Sequence, residues 1–377
     1  MKILITNCLS RKAFDLINIL TRSIERGDII FASDGNLKKM TIVYGSENCY
    51  LLRLDSFSAD LTLISKKYKD EEIIYYPVEE NVTLRIYEYV EEYGIRNFKY
   101  ILPSLESYNL SRDKKLLNSF CEGSDIPCPK FYSEAAIKAK NFKLPLILKP
   151  RIGTGSEGIM YIHSEEDLAS HPIDYKKYFA QELMNNPREV EAGFFLCDQG
   201  RVLSFYSHQR IKTFPEQGGV SVLSVAKVNQ KIKIAGSRII KKLNWSGLVM
   251  IEFIKDCVTN EYKIIEINPR VWGSILLSEF NNSKMIASYL RLCKGERVIE
   301  SAIATDRYLR WIFPYEFLLF FKSPRLSLSY VRRVGECCYV NFTYSTPFKS
   351  IRFIILTYFD LGKIKKKLFN ETKNNRL

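Results

Sequence analysis

Glu252-Phe-Ile-Lys-Asp256-Cys-Val-Thr259-Asn260-Glu-Tyr262-Lys-Ile-Ile-Glu266-Ile-Asn268-Pro-Arg270 is the stretch on which the reading of this chain turns. Two apolar runs flank a short polar turn built from Asp256, Thr259 and Asn260, the pattern of a β-hairpin. Side chains alternate faces along a strand, so Glu266 and Asn268 point the same way, and Glu252 on the partner strand can meet them there. Carboxylates and an amide oxygen then converge, with the fixed charge of Arg270 just beyond. An all-oxygen set of this kind suits Mg²⁺, which prefers a few carboxylates plus substrate phosphates to an all-protein cage. Glu and Asn on strands also decorate the solvent face of any half-buried sheet, so the hairpin needs company upstream before it carries a function.

That company begins at Leu144-Pro-Leu-Ile-Leu-Lys149-Pro150, which reads as a buried strand ending in a lysine. An unpaired buried ammonium is costly, so Lys149 calls for an anionic partner. The following Gly153-Thr-Gly155-Ser156-Glu-Gly158 is a loop between strands whose backbone N–H groups can approach phosphate oxygens closely, with Ser156 as a further donor. A ligand-free glycine turn has the same composition. No Gly-Lys-Ser/Thr follows, so it is not a Walker loop. Gln181-Glu182-Leu183-Met184 brings a carboxylate into an apolar strand, where Glu182 and the neighbouring backbone can meet an adenine, and Glu189 past the turn can accept from ribose hydroxyls. Both glutamates can equally be surface decoration.

Residues 1–110 alternate short apolar runs (2–6, 28–32, 50–54, 72–77 and 100–103) with amphipathic segments at 13–25 and 82–93. Strands alternating with helices predict a parallel sheet with crossover connections. The first strand runs into Asn7-Cys-Leu-Ser-Arg rather than a G-x-G-x-x-G loop, so a dinucleotide fingerprint is missing. Ser111-Arg-Asp113-Lys114 resembles a helix start. Antiparallel segments follow at 192–197, 202–208 and 221–226, then helices at 231–243 and 283–292.

At 377 residues and 46% hydrophobic, the chain can bury a large core and hold two or three domains. Its nine cysteines show no C-x-x-C spacing, and three histidines make a zinc site or a histidine-based triad a poor fit. A reduced, cytoplasmic setting is expected, and the opening MKILITN has no signal-peptide architecture. The net charge is +14, and residues 301–377 hold 14 Lys and Arg against 5 Asp and Glu, so the basicity is concentrated there. Basic and aromatic residues interleave in that segment. A peripheral membrane or anionic-glycolipid contact is one reading, and a helical cap packed on the core with a solvated basic tail is the other. The apolar runs at 311–321 and 351–359 are too short to span a bilayer. No nucleic-acid motif accompanies the charge.

The ordered set Asp113-Lys114, Ile147-Leu-Lys149-Pro150, Gly153–Gly158, Gln181-Glu182, Glu189, Glu252 and Glu266-Ile-Asn268-Pro-Arg270 resembles the ATP-grasp superfamily of carboxylate–amine ligases over roughly residues 1–300. His208-Gln-Arg210-Ile-Lys212-Thr-Phe-Pro-Glu-Gln-Gly218-Gly219 and Ile267-Asn-Pro-Arg-Val-Trp272-Gly273-Ser274 resemble, more narrowly, a bacterial subgroup of predicted ATP-dependent carboligases. The resemblance implies an α/β fold of three parts. These are a Rossmann-like domain at 1–110, an ATP-grasp domain at 111–300 (a lid subdomain at 111–182 and a Mg/ATP-binding subdomain at 183–300), and a basic, aromatic-rich extension at 301–377.

By the same resemblance Lys114 and Lys149 would hold ATP phosphates under a lid of Gly153, Gly155, Ser156 and Gly158. Glu182 with the backbone of Leu183 and Met184 would hold adenine, and Glu189 the ribose. Glu252, Glu266 and Asn268 would hold one or two Mg²⁺, for which Mn²⁺ can substitute. Arg270, with Lys149 and Arg210, would serve phosphoryl transfer, and Arg210, Lys212, Gly218, Gly219, Trp272, Gly273 and Ser274 would face the carboxylate substrate. Met250 stands where some relatives place a strand arginine, a gap Arg210 or Lys212 would have to fill. The implied reaction joins a carboxylate to an amine through an acyl-phosphate. By analogy the acid is a uronic acid of a bacterial surface polysaccharide, lipid-linked or polymeric; a homodimer stays open. The rivals are a dipeptide or small-molecule ligase and a non-catalytic nucleotide-binding regulator.

Overall fold

The computed structural model describes residues 1–45, 47–153, 158–171, 173–184, 190–214, 220–298, 301–311, 338–340 and 347–358. The chain opens with a parallel sheet of β1 (Lys2–Ile5), β2 (Ile29–Ser33), β3 (Cys49–Leu51), β4 (Ile73–Tyr76) and β5 (Phe98–Lys99), in the order β3-β2-β1-β4-β5. The strands are short and almost wholly apolar, as sheets covered on both faces require. One face joins Leu4, Ile30, Ile73 and Tyr75 to the helices Phe57–Lys67 and Glu80–Tyr93. The other turns Ile3, Ile5, Phe31 and Tyr76 toward the rest of the molecule.

Two sequence expectations shift here. The first helix runs Arg11–Leu20 rather than 13–25, because Ser10 caps it by accepting the Ala13 N–H. The fifth strand is Phe98–Lys99 rather than 100–103. Beyond Lys99 the chain leaves the sheet to meet the second half of the molecule: Ile101 N–H donates to the Tyr289 hydroxyl at 3.2 Å. The Ile101 carbonyl also lies where a Cβ on Gly247 (φ +90°) would approach it to 2.1 Å, so a glycine is required there.

A small antiparallel sheet follows, with β6 (Phe131–Tyr132), β7 (Leu146–Pro150), β8 (Met160–Ile162) and β9 (Tyr178–Glu182) in the order β6-β9-β7-β8. Its core is slight: Tyr132, Leu146, Leu148, Ile162 and Ala180.

The large sheet contains β10 (Val190–Asp198), β11 (Arg201–Phe214), β12 (Val220–Lys227), β13 (Gly247–Lys255), β14 (Tyr262–Asn268), β15 (Tyr308–Arg310) and β16 (Cys338–Val340), ordered β14-β13-β10-β11-β12-β15-β16. Alternation sorts its two faces. Phe195, Val249, Ile251, Phe253 and Ile267 pack under the helices Lys114–Gly123 and Gln230–Lys242. Phe194, Tyr206, Leu248 and Met250 face the first domain and share a single core with it.

The segment beyond residue 300 does not begin as a detached tail. β15 pairs antiparallel with β12, Leu309 and Trp311 are fully buried, and Phe353 of the helix Pro347–Tyr358 stacks on Phe14 with ring centroids 4.0 Å apart. Among the described residues no helix is long and apolar enough to cross a membrane.

Candidate active site

The hairpin forms as its sequence dictates. Asp256 closes the turn by accepting the Val258 and Thr259 N–H groups at 2.8 and 3.2 Å, and Asn260 takes the left-handed conformation such a turn needs (φ 57°). In the β13–β14 ladder Glu252 pairs with Glu266 and Met250 with Asn268. Met250 faces the first domain, so Glu252, Glu266 and Asn268 share that face. Burial pushes the Glu266 carboxyl up from the usual carboxylate range; Lys114 counters this and Glu252 adds to it.

The lysines arrive from two other elements. Asp113 caps the helix Lys114–Gly123 by accepting the Lys115 and Leu116 N–H groups. Arg151, just past β7, grips the same carboxylate with its Nε at 3.1 Å from Oδ2, which ties the helix start to the end of β7. Lys114 Nζ consequently sits 2.7 Å from the Gly153 carbonyl and 3.4 Å from Glu266 Oε1. Lys149, on β7, donates to Gln181 Oε1 at 2.9 Å. Burial lowers its ammonium to about 8, with Glu266 and Glu252 pulling the other way and Lys114 reinforcing the shift. The small sheet thus brings its lysine within electrostatic reach of the carboxylate pair of the large sheet.

Arg210 of β11 reaches the same face, its Nη2 2.5 Å from Glu252 Oε1. It brings a cation to the carboxylate pair where Met250, 8% exposed and packed in the shared core, brings none. Lys212 is buried beyond a register irregularity in β11. Arg270 donates through Nη2 to Asn268 Oδ1 at 2.6 Å and through Nε to Glu80 Oε1 at 3.0 Å. Glu182 Oε1 accepts from the Lys130 N–H at 2.8 Å and from Lys263 Nζ at 3.0 Å, a clamp between the two sheets at the cleft edge. Leu183 N–H donates to the Pro145 carbonyl at 3.4 Å, and Met184 Sδ is 4.0 Å from Lys263 Nζ. Gly153 and Gly158 flank the lid with positive φ. Gly155, Ser156, Glu189, Gly218 and Gly219 lie outside the described residues.

The expectation that Trp272 faces the substrate is overturned. Its side chain is 0% exposed, its ring lies 4.6 Å from that of Phe194, and its Nε1–H donates to the Tyr206 hydroxyl at 3.0 Å. A large aromatic with a satisfied indole N–H stabilises most when inserted into the shared core, and that is where the chain puts it. Ser274 is likewise buried, and Gly273 abuts Arg11.

Some contributors carried no local signal. Gln181 rather than a carboxylate holds Lys149. Glu80, at the start of the helix Glu80–Tyr93, bridges Arg270 and Arg112. Lys263 clamps Glu182 and Asp256. Period-two alternation from the buried Phe179 could have exposed Gln181, but nothing local could reveal a contact to Arg270 from 190 residues away.

Among the described residues no three His, Cys, Asp or Glu side chains gather to hold a metal unaided. The donor set is a facing carboxylate pair with one amide, and each carboxylate is now answered by a basic side chain. That fits Mg²⁺ completed by phosphate oxygens and does not fit a self-sufficient metal cage.

Residues 111–274 match a family model described as an ATP-grasp domain. This region is an ATP-grasp domain. Solved structures agree on its architecture. The biotin carboxylase domain of 2-oxoglutarate carboxylase from Hydrogenobacter thermophilus, determined as a dimer with MgADP, ADP and bicarbonate, shares 18% identity at a TM-score of 0.63, covering 81% of this chain and 73% of that one. N5-carboxyaminoimidazole ribonucleotide synthetase from Thermus thermophilus shares 18% identity at a TM-score of 0.59, covering 80% and 81%. At these identities the likeness establishes the fold. Among curated proteins, the carbamoyl phosphate synthase large chain of Lachnoclostridium phytofermentans is 25% identical over 230 residues, 54% of this chain and 20% of that protein. Acetyl-CoA carboxylase 2 of Arabidopsis thaliana is 25% identical over 156 residues, 38% of this chain and 6% of that protein. The chain therefore spans a fifth or less of the length of these two curated relatives. The ATP-grasp match covers the Asp113–Lys114 helix start, both lysines and the whole hairpin, which are the parts that assemble the cleft.

Proposed function

We propose that the chain is an ATP- and Mg²⁺-dependent ligase that joins a carboxylate to an amine through an acyl-phosphate. The observation that carries this reading is the convergence of Lys114 and Lys149 on the facing pair Glu252 and Glu266, with Asn268 and Arg270 next along the strand.

A carboxylate is a poor electrophile, and amide formation requires a leaving group that ATP supplies. Phosphoryl transfer asks of a protein chiefly positioning and charge neutralisation. Lys149, partly deprotonated near neutral pH in the free protein, gains a full charge when phosphate oxygens replace Gln181 as its partner. Lys114 would exchange Glu266, and Arg210 would exchange Glu252, for the same oxygens, leaving the two carboxylates to hold Mg²⁺. When bound there, Mg²⁺ would neutralise phosphate charge. Arg270, fixed by Asn268 and Glu80, would stabilise the charge developing on phosphoryl transfer; one well-placed transition-state donor is worth about 10²–10³ in rate. Arg210 supplies the cation that Met250 does not. A glycine-rich loop would shield the acyl-phosphate from water, and the incoming amine would lose a proton and take the acyl group as phosphate departs.

The solved relative with MgADP and bicarbonate supports the nucleotide and metal and puts bicarbonate among the acids to be tried. That the acid is a uronic acid or acidic saccharide rests on the basic segment beyond residue 300 alone. The experiment is an ADP-release screen of the full chain with acids, bicarbonate included, crossed with amines, and Glu266→Gln as control. ADP release that requires both an acid and an amine, and that Glu266→Gln abolishes, is expected. Equal turnover with and without any acid–amine pair would count against the ligase.

A further inference from the structure

The part of the first domain that meets Arg270 carries cations with no role in the reaction above. The chain leaves β1 through Asn7 in the left-handed conformation (φ 49°), and the ten-residue helix Arg11–Leu20 then starts under its Ser10 cap. Arg11 and Lys12 occupy its first turn, at the carboxyl end of the parallel strands, the edge at which such sheets receive ligands. The helix terminus adds its own partial positive charge there.

Arg11 Nη2 lies 3.5 Å from the Gly273 carbonyl oxygen, and a Cβ on Gly273 would come within 2.7 Å of that nitrogen. With glycine at 273 the guanidinium lies against the backbone without moving aside, and its carbon sits 5.0 Å from the centre of the Trp311 ring. The other terminal nitrogen, Nη1, is buried with no hydrogen-bond partner. Asp15, one turn along, does not cancel the charge, because burial raises its carboxyl to about 8.

Among the described residues Lys12 makes no hydrogen bond or ion pair. Burial and the Arg270 charge lower its ammonium well below the usual lysine range, with Glu80 and Glu79 opposing. Neither glutamate is at liberty to neutralise it. Glu80 is shared between Arg270 and Arg112, and Glu79 caps the helix Glu80–Tyr93 by accepting the Val82 N–H at 2.9 Å. An unfilled guanidinium donor and a desolvated lysine at one helix start are expensive unless an anion meets them.

We propose that Arg11 and Lys12 form, beside Arg270, a subsite for a second oxyanion group of the acid substrate, so that the acid is a dianion. One carboxylate meets Arg270 and the phosphate cleft, and the other carboxylate or phosphate group meets the start of the first helix. This rests on the ligase reading and extends it by fixing the charge of the acid.

The test is amine-selective acetylation of the full chain, with rates at Lys12 and Lys149 read by mass spectrometry. Acetate, succinate, phosphonoacetate and Mg²⁺ with a non-hydrolysable ATP analogue are the probes. Succinate or phosphonoacetate should slow labelling of Lys12 by about tenfold, an occupancy of about 90%, at concentrations where acetate does little. The nucleotide should protect Lys149 and leave Lys12 reactive. No protection of Lys12 by either dianion, or equal protection by acetate, overturns the subsite while leaving the ligase standing. Failure of the nucleotide to protect Lys149 overturns the ligase reading instead. In a second arm, Lys12→Met and Arg11→Met are titrated calorimetrically with succinate. About tenfold weaker binding by both, with melting temperatures equal to wild type or higher, is expected; unchanged affinity in either variant overturns the subsite.

Discussion

Glu252 and Glu266 stand directly opposite each other on β13 and β14, and each is answered by a cation from a different element, Arg210 at 2.5 Å and Lys114 at 3.4 Å. In the free protein these basic side chains hold the positions that a divalent cation and its phosphate ligands would claim. Mg²⁺ and ATP together should therefore stabilise the wild-type protein, by about 2.7 kcal/mol at a hundred times the dissociation constant. Glu266→Gln should lose most of that gain in a thermal melt while melting without ligand no lower than wild type, since burial already disfavours the charge it removes. Full retention of the Mg²⁺-dependent shift by the variant would contradict the assignment of Glu266.

Among the described residues, Lys149 is held by an amide oxygen alone. Lys149→Met should weaken nucleotide binding by about 10–100-fold, the worth of about 1.4–2.8 kcal/mol of charge-assisted contact. It should not lower stability without nucleotide, because it takes a desolvated ammonium out of the protein. Calorimetric titration with Mg²⁺ and an ATP analogue, alongside urea unfolding, separates the two effects.

Glu80 ties Arg270 to Arg112 and is 12% exposed as a side chain. Glu80→Ala leaves two guanidinium groups short of their shared acceptor at the seam between the first domain and the hairpin. A stability loss of about 3 kcal/mol is expected in urea unfolding. The ADP-release rate should fall as well, because Arg270 would lose the partner that aims it.

His208 is 2% exposed, and neither ring nitrogen has a hydrogen-bond partner. Burial, helped by Arg210, lowers its folded pKa to about 3 from the usual 6.5. As pH falls below 6.5 the unfolded chain takes up a proton that the folded chain refuses, so this residue destabilises the fold progressively between pH 6.5 and pH 3. The slope approaches about 1.4 kcal/mol per pH unit. Between pH 7.5 and pH 4.5 the urea midpoint of the wild type should drop, and His208→Phe should flatten that part of the curve. Parallel curves for the two proteins would refute the assignment.

The hairpin and the helix start at Asp113 could be read in advance because their causes are local. Period-two alternation sets which side chains share a face, and an aspartate one residue before a helix satisfies N–H groups next to it. Trp272 could not be placed, since a tryptophan beside a functional motif looks the same whether it lines a cleft or fills a core; the Phe194 and Tyr206 rings that decided the matter lie far off in sequence. The same distance hid Glu80. Residues 100–103 have the apolar look of a strand, but their contacts go to Tyr289 and Gly247 rather than to a neighbouring strand. Tyr308–Arg310 was hidden by composition, because a basic and aromatic run reads alike as a tail and as a strand joined late to a sheet.

That late strand, laid against β12, has a practical bearing on the protein's solubility. On the side of β12 that faces β15, the Val222 carbonyl accepts from the Trp311 N–H at 2.9 Å and the Ala226 N–H donates to the Arg307 carbonyl at 2.8 Å, while Trp311 closes over the shared core. A chain ended at residue 300 would present a bare row of amides and carbonyls beside an uncovered apolar floor. Such an edge recruits other copies, so the shortened protein is expected to emerge in the void volume of a sizing column rather than as a leaner working enzyme.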